Sequence, residues 1–147
     1  MPRPTERLPF NLTVTRLFDA SPGDLFDAWT KVELMRWLYG KEGSATVNLR
    51  VGGAYSMEMA YEGKLYHHEG EYLRIERPTL LEFTWISDGT DHKVSVVRVE
   101  FRPVGKNTEV VVHHTGVPEK TVTDHTQGWT ELLEWLNDQL TASQRAV

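Results

Sequence analysis

The amino-acid sequence predicts an α+β fold, in which a curved antiparallel sheet of about seven strands wraps around one long C-terminal helix. Apolar and polar residues alternate from about residue 45 to residue 115, with breaks at turn signals such as Gly52-Gly53 and Asp88-Gly89. No helical stretch separates these segments, so neighbouring strands should be antiparallel. The last part of the chain changes to helical spacing of its apolar residues.

A strand and two short helices precede the main β region. The segment "NLTVTRLFDA" alternates as a first strand. Ser21 can then cap a helix, and Pro22 suits the first helical position because its missing N–H costs nothing there. A second short helix, which includes Trp37, should end before Gly40.

Six further strands and the long helix complete the prediction. The strands are expected at about 46–50, 54–61, 64–75, 80–86, 93–102 and 108–114. The helix covers about 121–140, and its apolar stripe consists of His125, Trp129, Leu132, Leu133, Leu136 and Leu140. Gly128 inside this helix costs about 1 kcal/mol relative to alanine, which predicts close packing against a bulky neighbour. One helix cannot cover seven strands, so a cavity is expected between helix and sheet.

Length and composition indicate one domain over residues 1–147 with a core of about 12–141, present as a monomer or homodimer. A net charge of −5 without a lysine and arginine cluster argues against nucleic-acid binding. The sequence has no cysteine, no apolar run long enough to span a membrane and no signal-peptide pattern at its start. We therefore expect a soluble, cytoplasmic protein.

Five segments in this order resemble the activator of heat-shock protein 90 ATPase homologue family. They are "ASPGDLFDAWT", "LRVGGAY", "EGEYLRIERPTLLEFTW", "TEVVVHHTG" and "GWTELLEWL", and the resemblance covers about residues 12–141. The family belongs to the superfamily of START domains, polyketide cyclases and the birch-pollen allergen. The resemblance implies the helix-grip fold and a cavity for an apolar ligand. The eponymous activator also has an N-terminal chaperone-binding domain that this sequence lacks, so we expect ligand binding rather than chaperone activation.

The strand "GAYSMEMAY" carries the first candidate site residues. Its alternation places Tyr55, Met57, Met59 and Tyr61 on the inward face, where a packed core would more often have branched aliphatic side chains. Phenolic hydroxyls and flexible thioethers suit the wall of a ligand cavity. The alternative is that these four side chains simply fill the core.

Histidines supply the polar candidates. Parity places His68 and Gly70 on the inward face of the strand and His67 on the opposite face. The two histidines therefore cannot bind one metal ion together. Gly70 fits a strongly bent strand. His114 is either a ligand contact or an anchor that hydrogen-bonds the end of its strand to the long helix. The full predicted ligand-binding set is Trp37, Tyr55, Met57, Met59, Tyr61, His68, Phe83, Trp85, His114, Trp129 and Leu133.

The leading hypothesis is a non-enzymatic binding protein for a small apolar or aromatic ligand, with no cofactor. A cyclase, aromatase or hydrolase with His68 or His114 as base is the first alternative, and no inward carboxylate pairs with either. The second is a chaperone-linked or stress-response interaction module. His68, His114 and His125 lack the short spacing of a zinc site, and no nucleophile elbow is present, so no metal or catalytic residue is assigned.

Overall fold

The computed structural model of the chain describes residues 11–145, with side chains for residues 12–142. Residues 1–10 and 146–147, which the single-domain prediction includes, lie outside the described residues. The elements in chain order are β1 (Asn11–Phe18), α1 (Pro22–Thr30), a 3-10 turn (Val32–Leu34), α2 (Arg36–Tyr39), β2 (Ser44–Val47), β3 (Ala54–Tyr61), β4 (Lys64–Glu76), β5 (Leu80–Trp85), a 3-10 turn (Asp88–Thr90), β6 (Ser95–Val104), β7 (Asn107–Thr115), a 3-10 turn (Glu119–Thr121) and α3 (Val122–Arg145).

The described strands form one antiparallel sheet in the order β1-β7-β6-β5-β4-β3-β2. Strands β2 to β7 follow one another as a meander, and β1 pairs with β7, with Val14 opposite Val112. Strands β1 and β2 therefore form the two edges of the sheet, α1 and α2 connect them, and α3 returns across the concave face. The predicted α+β helix-grip fold is confirmed.

Local sequence signals explain the first helix. The Ser21 hydroxyl accepts a hydrogen bond from the Asp24 backbone N–H at 3.1 Å, and Pro22 stands at the first helical position. The second helix ends at Gly40, whose φ of 84° lies in a region that glycine adopts readily. Both predicted short helices are thus present.

The prediction for β2 was wrong by several residues. The strand is Ser44–Val47 rather than 46–50, because a turn begins at Asn48. The backbone N–H of Gly53 donates to the carbonyl of Arg50, and a Cβ at Gly53 would lie 2.1 Å from the Asn48 carbonyl oxygen. Residues 48–50, which alternate like a strand in the sequence, therefore belong to this compact turn.

Gly70 allows β4 to bend towards β5, as the sequence predicts. A Cβ at this position would lie 2.0 Å from the Thr84 carbonyl oxygen and 2.6 Å from the Tyr55 ring. Shortly afterwards the pairing of β4 with β5 shifts register between Tyr72 and Arg74. The curvature of the sheet therefore depends on the missing side chain.

The core lies between the concave face of the sheet and the helices. Alternation in the sequence predicts the inward face of β5, β6 and β7, and all of its residues are buried: Leu81, Phe83, Trp85, Val97, Val99, Phe101, Val110, Val112 and His114. Aromatic rings connect the layers, since Phe26 of α1 contacts Phe101, and Trp29 stacks on Trp129 of α3 at 5.9 Å between ring centroids. None of the described helices is long and apolar enough to cross a membrane.

Candidate functional site

An open cavity of about 490 Å³ lies beside this core, between the first half of α3, the adjacent ends of β3 and β4, and the turn Asp88–Thr90. We call it the outer cavity. Its described lining consists of Leu38, Met59, Ala60, Tyr61, Tyr66, His68, Ser87, Asp88, Gly89, Asp124, His125, Gln127, Gly128, Glu131, Leu132 and Trp135. The volume falls within the usual range for small-molecule sites.

A recess of about 220 Å³ adjoins the outer cavity and reaches the core. It shares six of its eight described lining residues with the cavity, among them Met59, His68 and Leu132, and adds Trp85 and Trp129. Both tryptophans are at most 3% exposed, so they form an apolar floor. The indole N–H of Trp85 is buried and has no hydrogen-bond partner among the described residues.

One face of α3 forms the wall of the cavity. Asp124, Gly128, Glu131 and Trp135 follow one another at spacings of three or four residues, so they form a stripe along the helix. The expectation that Gly128 packs against a bulky neighbour was wrong. A Cβ at Gly128 would have no atom within 4 Å. The glycine instead leaves free space in the wall at the point where the helix faces the cavity.

The structure divides the predicted site residues into two groups. Met59, Tyr61 and His68 line the outer cavity, and Trp85 and Trp129 line its recess. The others are buried in the packed core and border neither space: Trp37, Tyr55, Met57, Phe83, His114 and Leu133. Parity correctly identified the inward face, but the inward face is only partly the cavity wall.

The inner core, by which we mean Trp29, Met35, Leu38, Tyr55, Met57, Tyr72, Phe83 and Trp85, encloses a void of only about 10 Å³. The Tyr55 hydroxyl donates to the Thr84 carbonyl at 2.6 Å, and burial raises the pKa of this phenol well above its usual value. The Tyr55 hydroxyl therefore has its hydrogen-bond partner in the backbone of the protein itself.

Trp37 belongs to the predicted ligand-binding set but lines neither the outer cavity nor its recess. Its indole N–H donates to the Ala28 carbonyl at 2.8 Å, and its ring contacts Trp29 at 4.8 Å between centroids. Trp37 therefore fixes α2 against α1.

His114 joins a chain of hydrogen bonds that ties α3 to the sheet. The Trp129 indole N–H donates to His114 Nδ1 at 3.1 Å, and the Ser95 hydroxyl, which contacts His114 Nε2 at 2.8 Å, donates to the Trp85 carbonyl at 2.6 Å. Because the Ser95 proton goes to that carbonyl, Nε2 must carry the imidazole proton and donate to Ser95. Burial lowers the pKa of His114 to about 3, so the ring is neutral at pH 7. The predicted anchoring hydrogen bond is present.

His68 and His125 differ from His114 in that the proton of each ring lies on Nδ1. His68 Nδ1 lies 3.0 Å from the Tyr66 carbonyl, and His125 Nδ1 lies 2.9 Å from the Thr121 carbonyl. A carbonyl only accepts, so Nδ1 of each ring carries a proton, and the neutral form of each ring keeps Nε2 as an acceptor. Burial lowers the pKa of His68 to about 4, which keeps its ring neutral at pH 7. The cavity is thus lined by two imidazoles with acceptor nitrogens.

The charged groups in the described lining are all carboxylates: Asp88, Asp124 and Glu131. No lysine or arginine occurs among these lining residues. The negative charges of Glu131 and Glu62 raise the pKa of the Tyr61 phenol at the mouth of the cavity.

A second depression of about 680 Å³ lies between α1, α2 and the last turns of α3. Four of its ten described lining residues are charged, namely Asp24, Asp27, Glu33 and Arg36. Asp27 is already held by Arg77 at 3.2 Å. This surface lacks the concentration of aromatic side chains that distinguishes the outer cavity.

In the described part of the chain, no three His, Cys, Asp or Glu side chains converge in a way that could hold a metal ion. The His125 ring lies 5.2 Å from that of His114, but both ring nitrogens of His114 are in hydrogen bonds.

Sequence reasoning did not select the α3 wall as a site. Asp124, Gly128, Glu131 and Trp135 lie beside the apolar stripe rather than in it, so the hydrophobic pattern does not identify them. One signal was available: a glycine in the middle of an otherwise strong helix marks a place where a side chain is absent for a reason. Tyr66 shares the inward face with His68 by parity but was not selected, and Trp135 and the residues of the turn Asp88–Thr90 had no signal of their own.

The geometry defines a class of protein, namely a helix-grip protein with a side cavity between its C-terminal helix and its sheet. Residues 19–141 match the family described as Activator of Hsp90 ATPase homolog 1-like protein. The chain belongs to this family, and the resemblance seen in its sequence motifs is confirmed.

Solved structures agree with the fold. Protein CV1439 from Chromobacterium violaceum is 21% identical with a TM-score of 0.75, and the match covers 88% of this chain and 96% of that one. PFC0360w, an HSP90 activator from Plasmodium falciparum, is 25% identical with a TM-score of 0.74, over 89% and 96% of the two chains. CalU16 from Micromonospora echinospora is 22% identical with a TM-score of 0.71, over 92% and 79%. No curated protein matches the chain in sequence.

Proposed function

We propose that the protein binds a small, largely apolar or aromatic ligand in the outer cavity. The observation that carries this proposal is a volume of about 490 Å³ beside a core whose own void is about 10 Å³. Interiors of proteins are close-packed, so an open space of this size beside a filled core suits a ligand site.

The lining suits such a ligand in two ways. Met59, Leu132 and the tryptophans of the recess offer apolar contact area, and methionine adapts its shape to different partners. The Nε2 atoms of His68 and His125 can accept hydrogen bonds from a hydroxyl or amino group, which would orient the ligand. His68 with a pKa of about 4 is a weak general base at pH 7, so binding is favoured over acid–base catalysis.

Filling the cavity tests the proposal directly. Gly128→Leu places a side chain where a Cβ meets no atom within 4 Å, so it should fill the space without disturbing the core. Thr130→Leu adds a leucine to the exposed side of the same helix and is the matched control. Calorimetric titration with a neutral aromatic probe, 2-(1-naphthyl)ethanol, should show saturable binding to the wild type and to Thr130→Leu. A folded Gly128→Leu variant should bind the probe about tenfold more weakly or worse, because the leucine occupies the volume that the ring needs.

Equal affinity of the two leucine variants would place the probe elsewhere on the protein and contradict the proposal. Absence of saturable binding to the wild type would contradict it for aromatic ligands of this size.

Action on a chaperone is a second candidate, because the chain belongs to this family and is similar to an HSP90 activator from Plasmodium falciparum. The test is the ATPase rate of Hsp90 with and without the protein. Stimulation that survives Gly128→Leu would support an interaction through the outer surface, and an unchanged rate would remove this candidate.

A further inference from the structure

We propose that the outer cavity selects cationic ligands, specifically an aromatic or apolar body that carries a protonated amine, and discriminates against carboxylates of the same shape. This inference rests on the proposed ligand-binding function and adds the charge of the ligand. It follows from the aromatic rings, the carboxylates and the histidine tautomers at the mouth.

The cavity changes character from its floor to its mouth. The floor consists of Trp85 and Trp129, which are almost fully buried. At the mouth, Tyr61 is 44% exposed and Tyr66 is 37% exposed, and the Trp135 ring is half-buried. A ligand with an apolar end and a polar end would therefore enter with its apolar end first.

Aromatic faces at the mouth suit a cation. The rings of Tyr61 and Trp135 lie 6.4 Å apart between centroids at an angle of 42°, and Tyr66 lines the same cavity. An ammonium group held within about 6 Å of such faces is attracted by their negative π-surface, and tyrosine and tryptophan give the strongest effect. A carboxylate at the same place would be repelled.

The charged side chains of the cavity also favour a cationic ligand. Asp124 and Glu131 form no ion pair within the described residues, while Asp88 lies 2.8 Å from His92 Nε2. Opposing them is the start of α3, whose free N–H groups amount to roughly half a positive charge. The two full negative charges of Asp124 and Glu131 outweigh that half charge, and the charge of Glu131 also raises the pKa of the Tyr61 phenol at the mouth.

The hydrogen-bonding groups of the cavity are also consistent with a cationic ligand. His68 and His125 donate their Nδ1 protons to backbone carbonyls, so in their neutral forms they present acceptor nitrogens that match a donor such as an ammonium group. On the floor, the buried indole N–H of Trp85 has no acceptor among the described residues. A polar acceptor atom within the body of the ligand would match it.

Three probes of nearly equal shape separate the effect of ligand charge from the effect of ligand fit in the cavity. These are 2-(1-naphthyl)ethylamine, 2-(1-naphthyl)ethanol and 1-naphthylacetic acid, titrated by calorimetry at pH 7 and low salt. The amine should bind tightest, the alcohol next and the acid weakest, with about a tenfold or larger ratio between amine and acid that falls as salt is added. A double variant, Asp124→Asn with Glu131→Gln, should weaken the amine, strengthen the acid and leave the alcohol within about twofold.

Asp138→Asn is the control, because Asp138 is a carboxylate of the same helix that does not line the cavity. It should leave the order of the three probes unchanged. Tyr61→Leu should weaken the amine more than the alcohol, since only the amine uses the π-surface.

The outcomes distinguish the two proposals. If the alcohol binds and the acid equals or exceeds the amine, the selection for cations is overturned and the binding function stands. If the amine is preferred but the double variant changes all three probes alike, the carboxylates do not set the selection and the inference is again overturned. If none of the probes binds, both proposals fail for ligands of this class.

Discussion

The two halves of β3 share a strand and a face, yet they have different surroundings. Tyr55 and Met57 are at most 5% exposed and belong to the inner core, with its void of about 10 Å³. Met59 and Tyr61, two and four residues beyond Met57, line a cavity of about 490 Å³. The difference comes from the covering residues, since Trp29, Met35 and Leu38 close over the first half, while the second half lines the cavity together with Gly128 of α3. Side-chain type alone does not decide whether a position is core or cavity wall.

The largest expected contrast lies between two glycines, one on each side of this boundary. Gly70→Ala should destabilise the protein by about 3 kcal/mol or more, because its Cβ would lie 2.0 Å from a backbone oxygen in a packed part of the sheet. Gly128→Ala should instead stabilise it by up to about 1 kcal/mol, since alanine favours the helix and its Cβ meets open space. Urea denaturation of both variants measures this, and destabilisation by Gly128→Ala would contradict the assignment of free space there.

The two methionines of β3 give the next largest contrast. Met57→Ala should cost about 2–5 kcal/mol, because it leaves a hole in a filled core. Met59→Ala should cost under about 1 kcal/mol, since its side chain already borders open space. The unfolding free energies of the two variants provide the measurement. Similar losses of stability would mean that the boundary between core and cavity does not fall between these residues.

A third prediction concerns His114, whose neutral ring joins the inner core to α3. Its pKa is about 3 in the folded protein, against about 6.5 in the unfolded chain, so the unfolded state binds more protons once the pH falls below 6.5. Stability that is complete above pH 6.5 should therefore decline towards lower pH by about 1.4 kcal/mol per unit, which is about 2 kcal/mol at pH 5.

His114→Gln is the matched variant for this measurement. Its amide can accept from the Trp129 indole and donate to Ser95, yet it does not titrate. Unfolding free energies at pH 7 and pH 5 should show a decrease for the wild type that is about 2 kcal/mol larger than for the variant. Equal decreases would mean that His114 is not the group responsible.

The smallest expected effect is at the mouth of the cavity. Tyr61→Leu should change the unfolding free energy by under about 0.5 kcal/mol, because Tyr61 is 44% exposed and its ring is not part of the core. Thermal unfolding monitored by circular dichroism is sufficient to measure it. A destabilisation comparable with that of Met57→Ala would show that Tyr61 is a structural residue, and would weaken its use as a probe of ligand selection.

Much of the fold was predictable because the relevant signals are local. Alternation identified the inward residues of β5, β6 and β7, and capping residues located α1. Gly70 marked the bend in β4 because only a missing Cβ allows so close an approach to Thr84. The β2 boundary was missed because the turn from Asn48 to Gly53 is fixed by backbone contacts that the alternating pattern does not reveal.

Of the candidate site, the sequence by itself determined the face on which the residues of β3 lie. It placed Tyr55, Met57, Met59 and Tyr61 on one face, because successive side chains of a strand point to opposite sides. Only the tertiary structure decided which of them are covered, since that depends on where α2 and α3 cross the sheet. Distant parts of the chain, such as the Gly128 region of α3, meet the strand ends only after folding. The periodicity of a strand gives the face of each side chain, but not the position along the strand at which a helix packs against it.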